Sequence, residues 1–311
     1  MQKLTELKQQ IKTVQNIEIM ARTMATVAAA KISKVRQRAA GMRTYTAAMR
    51  DMIRDQQAYL IRSGGDLESL SPLLVARPEP KQISVFLITG DRGMCGNYNM
   101  AANHLCLEFI ESQKAAGHEV SLVVKGRKGE LYWRKRRVPI VHAEYWQREG
   151  VVYEEVERLL AMLTERFISG EADEVHTVYT EFYSPIKRQP RMVKLLPMSK
   201  EVSGAVAGGV SKWFYEPSFD LIIDDLLYVY ARAQLYDILL ESFASEQGAR
   251  MITMTEATER AEKTLKDCRM QYNRLRREVI TIDLLSVLFA SRVVEESEPA
   301  EADSGYSVEG D

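Results

Sequence analysis

The residues that most suggest chemistry form a glycine-rich turn in the middle of the chain. Residues 90–96 follow an apolar stretch that predicts a buried strand, and they precede a predicted helix. A helix N-terminus behind such a turn can bind phosphate through its free N–H groups. The glycines here are spaced G-x-x-G-x-x-G rather than G-x-G-x-x-G, and no Gly-Lys-Ser/Thr follows. A tight turn needs glycine for backbone reasons alone, so we favour a structural turn over a nucleotide site.

The other reactive side chains form no recognisable site in the sequence. The histidines are isolated, and Cys95, Cys106 and Cys268 are too few and too scattered for a disulfide framework or a zinc site. No G-x-S-x-G motif or convincing pair of carboxylates is present. We therefore expect no catalytic residue, no cofactor and no metal ion. The cysteine usage favours a reducing compartment.

The charges of the chain are balanced as a whole but not along its length. The net charge is −1, which gives no reason to expect a nucleic-acid partner. The first 62 residues nevertheless carry twelve Lys or Arg against four Asp or Glu, and residues 295–311 carry seven acids and no base. No run of about twenty apolar residues exists, so we expect no membrane span. The first residues lack the apolar core of a signal peptide.

Two long helices are predicted at opposite ends of the chain. The first extends from Lys3 to Arg62, before a Gly-Gly pair, and the second from Phe219 to Val294, with Gly248 as its single glycine. At 1.5 Å per residue, their lengths are roughly 90 and 110 Å. A domain of this size is only about half as long. The lengths therefore predict a rod carrying a compact body, and two helices folded back on the middle domain are the alternative.

Apolar residues at alternating three- and four-residue steps predict that the two helices form an antiparallel coiled coil. In the second helix the predicted seam consists of Ala261, Leu265, Cys268, Tyr272, Leu275, Val279 and Ile282. In the first helix it starts at Leu4, Leu7, Ile11 and Val14, and we expect it to shift through Ile17, Met20, Met24 and Val27. The three alanines at 28–30 would allow two backbones to approach closely.

Between the helices, strands alternate with helices, which favours an α/β domain with a mainly parallel, Rossmann-like sheet. Predicted strands cover residues 82–89, 119–125, 174–180 and 192–196, predicted helices cover 97–116 and 151–169, and 126–129 is a predicted loop. The expected divisions are an N-terminal helix (1–64), a linker (65–80), the α/β domain (81–215), a C-terminal helix (216–294) and a disordered acidic tail (295–311).

Several stretches together resemble the gamma subunit of rotary, F-type ATP synthases. They are residues 27–31 (VAAAK), 88–99 (ITGDRGMCGNYN), 215–217 (YEP), 244–251 (ASEQGARM), 272–273 (YN) and 280–281 (IT). The resemblance covers the chain to about Val294, in order. Each motif alone would be weak, but together they are specific.

The resemblance implies a central-stalk rotor subunit without an active site of its own. Such a subunit couples proton or sodium flow through a membrane c-ring to ATP synthesis or hydrolysis in a hexamer of alpha and beta subunits, and it also contacts an epsilon subunit. It implies a peripheral location on the cytoplasmic face of a bacterial plasma membrane. The alternatives are an α/β nucleotide-binding enzyme with helical oligomerisation arms and an unrelated coiled-coil adaptor.

The resemblance also implies roles for particular residues. Beta-subunit contacts are expected from Arg22, Met24, Arg276, Thr281 and Asp283. Contacts with the c-ring or the epsilon subunit are expected from Tyr215 and Glu216. A structural role in shaping the α/β domain is expected for Gly90, Asp91, Arg92, Gly93, Cys95 and Gly96.

Overall fold

A computed structural model describes residues 2–62, 71–147, 150–198 and 219–297. The helices are α1 (Gln2–Arg62), α2 (Tyr98–Ala115), α3 (Arg127–Trp133), α4 (Tyr153–Ser169) and α5 (Phe219–Ser297), with a 3₁₀ turn at Pro72–Leu74. The strands are β1 (Gln82–Ile88), β2 (Glu119–Lys125), β3 (Ile140–Glu144), β4 (Glu174–Phe182) and β5 (Arg188–Leu196). The predicted contacts Tyr215 and Glu216 lie outside the described residues.

The five strands form one sheet in the order β3-β2-β1-β4-β5. The first four are parallel to one another, and β5 pairs antiparallel with β4. Parallel strands covered by helices on both faces read as continuous apolar runs. In β1 this run is Ile83 to Ile88, in which every side chain is at most 2% exposed. The mainly parallel sheet predicted from the sequence is thus confirmed.

Each face of the sheet has its own core. On one face, α2 and α3 pack on the strands through residues such as Cys106, Ile110 and Trp133. On the other face, α4 shares a core with the central parts of α1 and α5, which contribute Val35 and Leu239 among others. The seam pattern alone did not reveal that both long helices also pack against the sheet.

The chain divides into two compact units, and α1 and α5 pair in both. One unit combines the residues up to Ala21 with those from Ala257 onward, and the other extends from Arg22 to Glu256. In the terminal unit, Leu7 lines a groove together with Leu275. In the central unit, the Lys31 ammonium lies 5.8 Å from the centre of the Phe243 ring. The two helices form the antiparallel coiled coil that their lengths and periodicity predicted.

The seam of α1 differs from the prediction in one respect. Ile17, Met20 and Val27 do not enter it, because their side chains are 49%, 60% and 51% exposed. The seam instead keeps the residue spacing with which it starts and continues through Ala21 and Ala28, which are 5% and 1% exposed. Small alanines at these seam positions let the two backbones approach, while the larger apolar side chains face outward. In α5 the predicted seam residues are buried or half-buried to Val279, but Ile282 is 65% exposed.

Other elements also differ from those predicted. The segment expected to be a loop at 126–129 begins helix α3, and β3 was not predicted. The proposed linker contains the 3₁₀ turn, whose Leu73 and Leu74 are buried in the core. Helix α5 ends at Ser297, three residues inside the stretch assigned to the acidic tail, and the remainder of that tail lies outside the described residues. No helix of the described chain is long and apolar enough to cross a membrane.

Candidate interaction surfaces

The turn at residues 90–96 is held by hydrogen bonds with α2, with the start of α3 and with the segment after β3. The Gly90 N–H donates to Oδ1 of Asn99 over 2.8 Å, and the Gly90 carbonyl accepts from the Lys128 N–H over 3.0 Å. The Asp91 carboxylate accepts from the backbone N–H groups of Arg127 and Trp146, both over 2.9 Å. The Asp91 carboxylate thus joins the turn to the start of α3 and to the segment that follows β3.

The same turn packs against α5. Arg250 donates to the Gly93 carbonyl over 3.4 Å and to Oε1 of Glu246 over 2.5 Å. Both side chains are buried, and burial raises the pKa of Glu246 in spite of its arginine partner. A Cβ atom added at Gly90 would lie 2.8 Å from Cδ of Glu246. The backbone of the turn thus approaches the helix at van der Waals distance.

Cys95 belongs to this contact and not to a reactive site. Its side chain forms a small core with Tyr98 and Ala249 and is 1% exposed. Burial, reinforced by the nearby Glu246 carboxylate, raises the pKa of the Cys95 thiol. Since the thiolate is the reactive and metal-binding form of cysteine, this thiol is poorly suited to either chemistry. Tyr98 is hydrogen-bonded through its hydroxyl to Oγ of Ser242 on α5 over 2.8 Å.

The crevice where a sheet of this kind would bind a ligand is occupied by α5. In doubly wound sheets, ligands bind at the carboxyl ends of the strands where the strand order reverses. Here that point lies between β1 and β4, because the chain continues from β1 to β2 on one side and β4 lies on the other. Ser245 of α5 donates to the Thr180 carbonyl in β4 over 2.9 Å. Gly248 faces Phe182, whose ring would be 3.2 Å from a Cβ atom at that position.

The structure also contains a buried ion pair that sequence analysis missed. Lys125, the last residue of β2, pairs with Glu155 of α4, and both side chains are fully buried. The Lys125 ammonium lies 4.7 Å from the centre of the Trp146 ring. Burial raises the pKa of Glu155 even though Lys125 opposes the shift. The sequence did contain a signal for this pair, namely a lysine at the end of an apolar strand.

Among the described residues, no group of three or more His, Cys, Asp or Glu could hold a metal ion.

The predicted beta-subunit contacts lie on exposed helix surface. Arg22 is exposed on α1, and Met24 is half-buried. Arg276, Thr281 and Asp283 are exposed within two turns of α5, and the Thr281 hydroxyl donates to the Arg277 carbonyl over 2.9 Å. Every side chain described from residue 280 to 292 is exposed, and this stretch includes large apolar groups. They are Ile280, Ile282, Leu284, Leu285, Val287, Leu288 and Phe289. Large exposed apolar surfaces mark interaction sites.

Comparison with known proteins gives one consistent family. The family model described as ATP synthase matches residues 3–290. A curated relative named ATP synthase gamma chain, from Chlorobaculum parvum, is 31% identical over 288 residues, covering 92% of this chain and 96% of the relative. Proteins of the same name from Chlorobium phaeobacteroides and Anaeromyxobacter dehalogenans are 33% and 31% identical, and the matches cover 92% and 93% of this chain. They cover 96% and 98% of those relatives.

Solved structures show the same fold. A chain from the Euglena gracilis mitochondrial ATP synthase (OSCP/F1/c-ring) aligns with a TM-score of 0.61 at 11% identity, covering 98% of this chain and 99% of that one. A chain from the central stalk/c-ring structure of the Tetrahymena thermophila mitochondrial ATP synthase aligns with a TM-score of 0.56 at 20% identity. This match covers 76% of the present chain and 99% of the other.

Proposed function

Because this chain belongs to the family of ATP synthase gamma chains, we propose that it is the central-stalk rotor subunit of an F-type ATP synthase. It couples proton or sodium flow through a membrane c-ring to ATP synthesis and hydrolysis in a hexamer of alpha and beta subunits. The observation that carries the proposal is the family match over residues 3–290. The paired α1 and α5 supply the long coiled coil that such a rotor requires.

The coupling itself has a simple physical basis. A rotor that presents a different face to each of three equivalent beta subunits gives each nucleotide site a different affinity. Rotation then changes these affinities in turn, which is a coupling of binding free energies. The chain's contribution is stiffness and an asymmetric surface, and the chemistry takes place in its partners.

We further propose that the chain has no active site of its own. The support is the crevice between β1 and β4, which Ser245 and Glu246 of α5 fill. An α/β nucleotide-binding enzyme would need this crevice to be open.

The contacts with partner subunits are also part of the proposal. The beta subunits would contact Arg22, Met24, Arg276, Thr281 and Asp283. Guanidinium and hydroxyl groups suit this role because they can form and release hydrogen bonds with carboxylates. The c-ring and the epsilon subunit would contact Tyr215 and Glu216.

The turn at 90–96 would act as the joint between the sheet and α5. Its support is the contact of Gly90, Gly93 and Cys95 with Glu246, Ala249 and Arg250. Through this joint, torque applied to the sheet domain would pass to the helix. We place the assembled complex on the cytoplasmic face of a bacterial plasma membrane, with this subunit held there through its partners.

Affinity purification of the full chain from its native cells tests the proposal. Alpha and beta homologues should copurify in a complex that hydrolyses ATP, and their absence would favour an unrelated adaptor. Equilibrium binding of ATP and ADP to the isolated chain tests the enzyme alternative. We expect no stoichiometric binding, and tight binding that is lost on substitution of Asp91 would contradict the proposal.

A further inference from the structure

A continuous line of side-chain contacts connects both long helices with the sheet and with α4. The Lys31 ammonium of α1 lies 5.8 Å from the centre of the Phe243 ring of α5. The centres of the Phe243 and Trp146 rings are 5.5 Å apart, and the Lys125 ammonium of β2 lies 4.7 Å from the Trp146 ring. Lys125 in turn pairs with Glu155 of α4. We call this set the aromatic junction: Lys31, Lys125, Trp146, Glu155 and Phe243.

Trp146, in the middle of the line, is fixed by hydrogen bonds as well as by ring contacts. Its indole N–H donates to the Thr89 carbonyl over 2.6 Å, and its backbone N–H donates to Oδ2 of Asp91 over 2.9 Å. On the α5 side, Phe243 is 5% exposed, and a Cβ atom added at Gly150 would lie 3.2 Å from its Cζ atom. The two rings therefore meet in one defined arrangement.

Stability alone does not explain the buried ion pair at the end of this line. Burial raises the pKa of Glu155 in spite of Lys125, and Oε2 of Glu155 is buried without a hydrogen-bond partner in the described part of the chain. Replacing a buried ion pair by apolar residues of similar volume commonly leaves a protein equally stable or more stable. An apolar pair could not, however, place a positive charge beside the Trp146 ring. The attraction between a cation and an aromatic ring is strongest where water is excluded.

We propose that Lys125, held in place by Glu155, positions Trp146 against Phe243, and that the aromatic junction transmits torque from the sheet domain to α1 and α5 together. The proposal deepens the proposed function and rests on it for the torque. Lys125 and Glu155 act through Trp146, so they are positioning residues.

The place of the aromatic junction along α5 supports this role. Phe243 lies between residues 215–216, the proposed c-ring contacts, and residues 276–283, which include proposed beta-subunit contacts. Torque passing along the helix from one to the other must therefore cross the position of Phe243. The turn at 90–96 contacts α5, whereas the aromatic junction also includes α1 through Lys31.

Exchange of the indole protons with solvent tests the positioning of Trp146 in the isolated full chain. The test variant combines Lys125→Met with Glu155→Leu, which keeps apolar volume and removes both charges. It should melt at the temperature of the unaltered chain or above it. Exchange at Trp146, measured by NMR after labelling tryptophan with nitrogen-15, should accelerate roughly tenfold, because the cation no longer opposes local opening. The fully buried Trp133 is the internal reference and should be unaffected.

The same measurement separates positioning from a purely structural role. A role limited to stability predicts that the exchange at Trp146 stays unchanged while the variant remains folded, and this result would overturn the proposal. Phe243→Leu provides a second route, since it removes the ring contact but keeps an apolar side chain. It should also accelerate exchange at Trp146 and leave the melting transition cooperative. The Trp146 signal is identified by its loss in Trp146→Phe.

A matched control removes another ion pair that involves α4. Arg166 pairs with Glu171 at 2.7 Å, and neither residue belongs to the aromatic junction. Arg166→Met combined with Glu171→Leu should leave the exchange at Trp146 unchanged. An acceleration equal to that in the first variant would show that loss of any ion pair loosens the domain, and it would overturn the specific role of Lys125.

Torsional fluctuation of the assembled complex tests the transmission of torque. The alpha and beta subunits are fixed to a surface, and a rod attached to the sheet domain reports its angle between catalytic steps. If the turn and the aromatic junction share the torque equally, Phe243→Leu should roughly double the angular variance. The ion-pair control should not change it. An unchanged variance in Phe243→Leu would overturn the torque assignment.

The two measurements fail independently. If the chain forms no complex with alpha and beta subunits, the proposed function fails, and the torque assignment fails with it. The positioning of Trp146 by Lys125 is decided by proton exchange in the isolated chain, whatever the outcome for the complex.

Discussion

At the scale of single residues, Gly90 is the position where the joint with α5 leaves no room for a side chain. We expect Gly90→Ala to lower the free energy of unfolding by about 1–3 kcal/mol, because the new methyl group would displace a buried carboxylate. Glu246 cannot move freely, since it is enclosed and bonded to Arg250. Chemical denaturation of the isolated chain measures the change.

Gly93 provides the control for this prediction. It lies in the same turn, but a Cβ atom added there would have nothing within 4 Å. Gly93→Ala should therefore change the free energy of unfolding by less than about 0.5 kcal/mol. If the two variants are equally stable, the close approach of Gly90 to Glu246 does not contribute to the joint.

A second residue-scale prediction concerns Glu174 at the start of β4. Its carboxylate accepts from His176 over 2.7 Å and pairs with Lys194 at 2.5 Å. The hydrogen bond with His176, supported by Lys194 against the effect of burial, lowers the pKa of Glu174 to about 2 from 4.5. A carboxyl group with a lowered pKa stabilises the fold above its unfolded pKa, and this contribution is lost as the pH falls towards 2.

Glu174→Gln should therefore destabilise the chain near neutral pH by about 1–2 kcal/mol, after allowance for partial exposure. The difference from the unaltered chain should shrink as the pH is lowered from about 5 to about 2. Urea midpoints over this range measure it. Glu171→Gln, which removes a carboxylate that is 61% exposed, is the matched control. A difference that does not vary with pH would contradict the assigned role of the carboxylate.

At the scale of elements, the seam of α1 can be tested at two adjacent alanines. Ala28 is 1% exposed in the seam, and Ala29 is exposed beside it. Ala28→Leu should lower the free energy of unfolding by about 1–3 kcal/mol, because the seam has no space for a larger side chain. Ala29→Leu adds the same atoms and should be nearly neutral. A larger loss of stability from Ala29→Leu than from Ala28→Leu would contradict the assignment of Ala28 to the seam.

That seam shows how far sequence periodicity can be used. The long helices, the parallel sheet and the antiparallel coil were predictable because each depends on repeated apolar positions. Periodicity gave the wrong seam where the buried residues are not the largest apolar ones. Ile17 and Met20 are large and apolar but face outward, whereas small alanines occupy the seam. A pattern based on hydrophobicity selects the larger apolar residues, although closely packed helices need small residues at their interface.

The missed elements have comparable causes. Helix α3 is short and begins with Arg127, Lys128 and Gly129, which suggest a loop, and it is held in place by the distant Asn103 and Tyr145. The glycine turn was predictable as a turn because of its composition. Its partner surface on α5 was not, because the contacts of Gly90 and Gly93 with Glu246 and Arg250 join residues more than 150 positions apart.

At the scale of the whole molecule, ATP hydrolysis by the assembled complex tests whether the exposed face of α5 contacts the beta subunits. We expect the double variant Arg276→Ala and Thr281→Ala to reduce ATP hydrolysis by the reconstituted complex at least severalfold, with unchanged subunit stoichiometry. Both side chains are exposed, so their loss should not disturb the coiled coil. Lys263→Ala with Thr264→Ala, also exposed on α5, is the control. Full activity of the first variant would remove these residues from the proposed contact.

A truncation tests the acidic tail in the same assembly. Removing all residues after Ser297 leaves the described helix complete. The deleted stretch is rich in acids and poor in large apolar residues, so it can bury little surface to offset the entropy of ordering. We expect the shortened chain to assemble and to hydrolyse ATP at the normal rate. A chain that no longer joins the hexamer would show that the tail is needed for assembly.

Because α5 fills the crevice between β1 and β4, the joint should not respond to changes in the concentration of small molecules in the cell. A diffusible ligand occupies its site in proportion to its concentration and leaves at a characteristic rate. The occupant here is a segment of the same polypeptide, so its effective concentration is set by the tether, on the order of millimolar or more. Dilution cannot empty the crevice, and under the proposed function neither can a change in the ATP or ADP level. The joint therefore stays closed while the nucleotide sites around the rotor fill and empty with every turn.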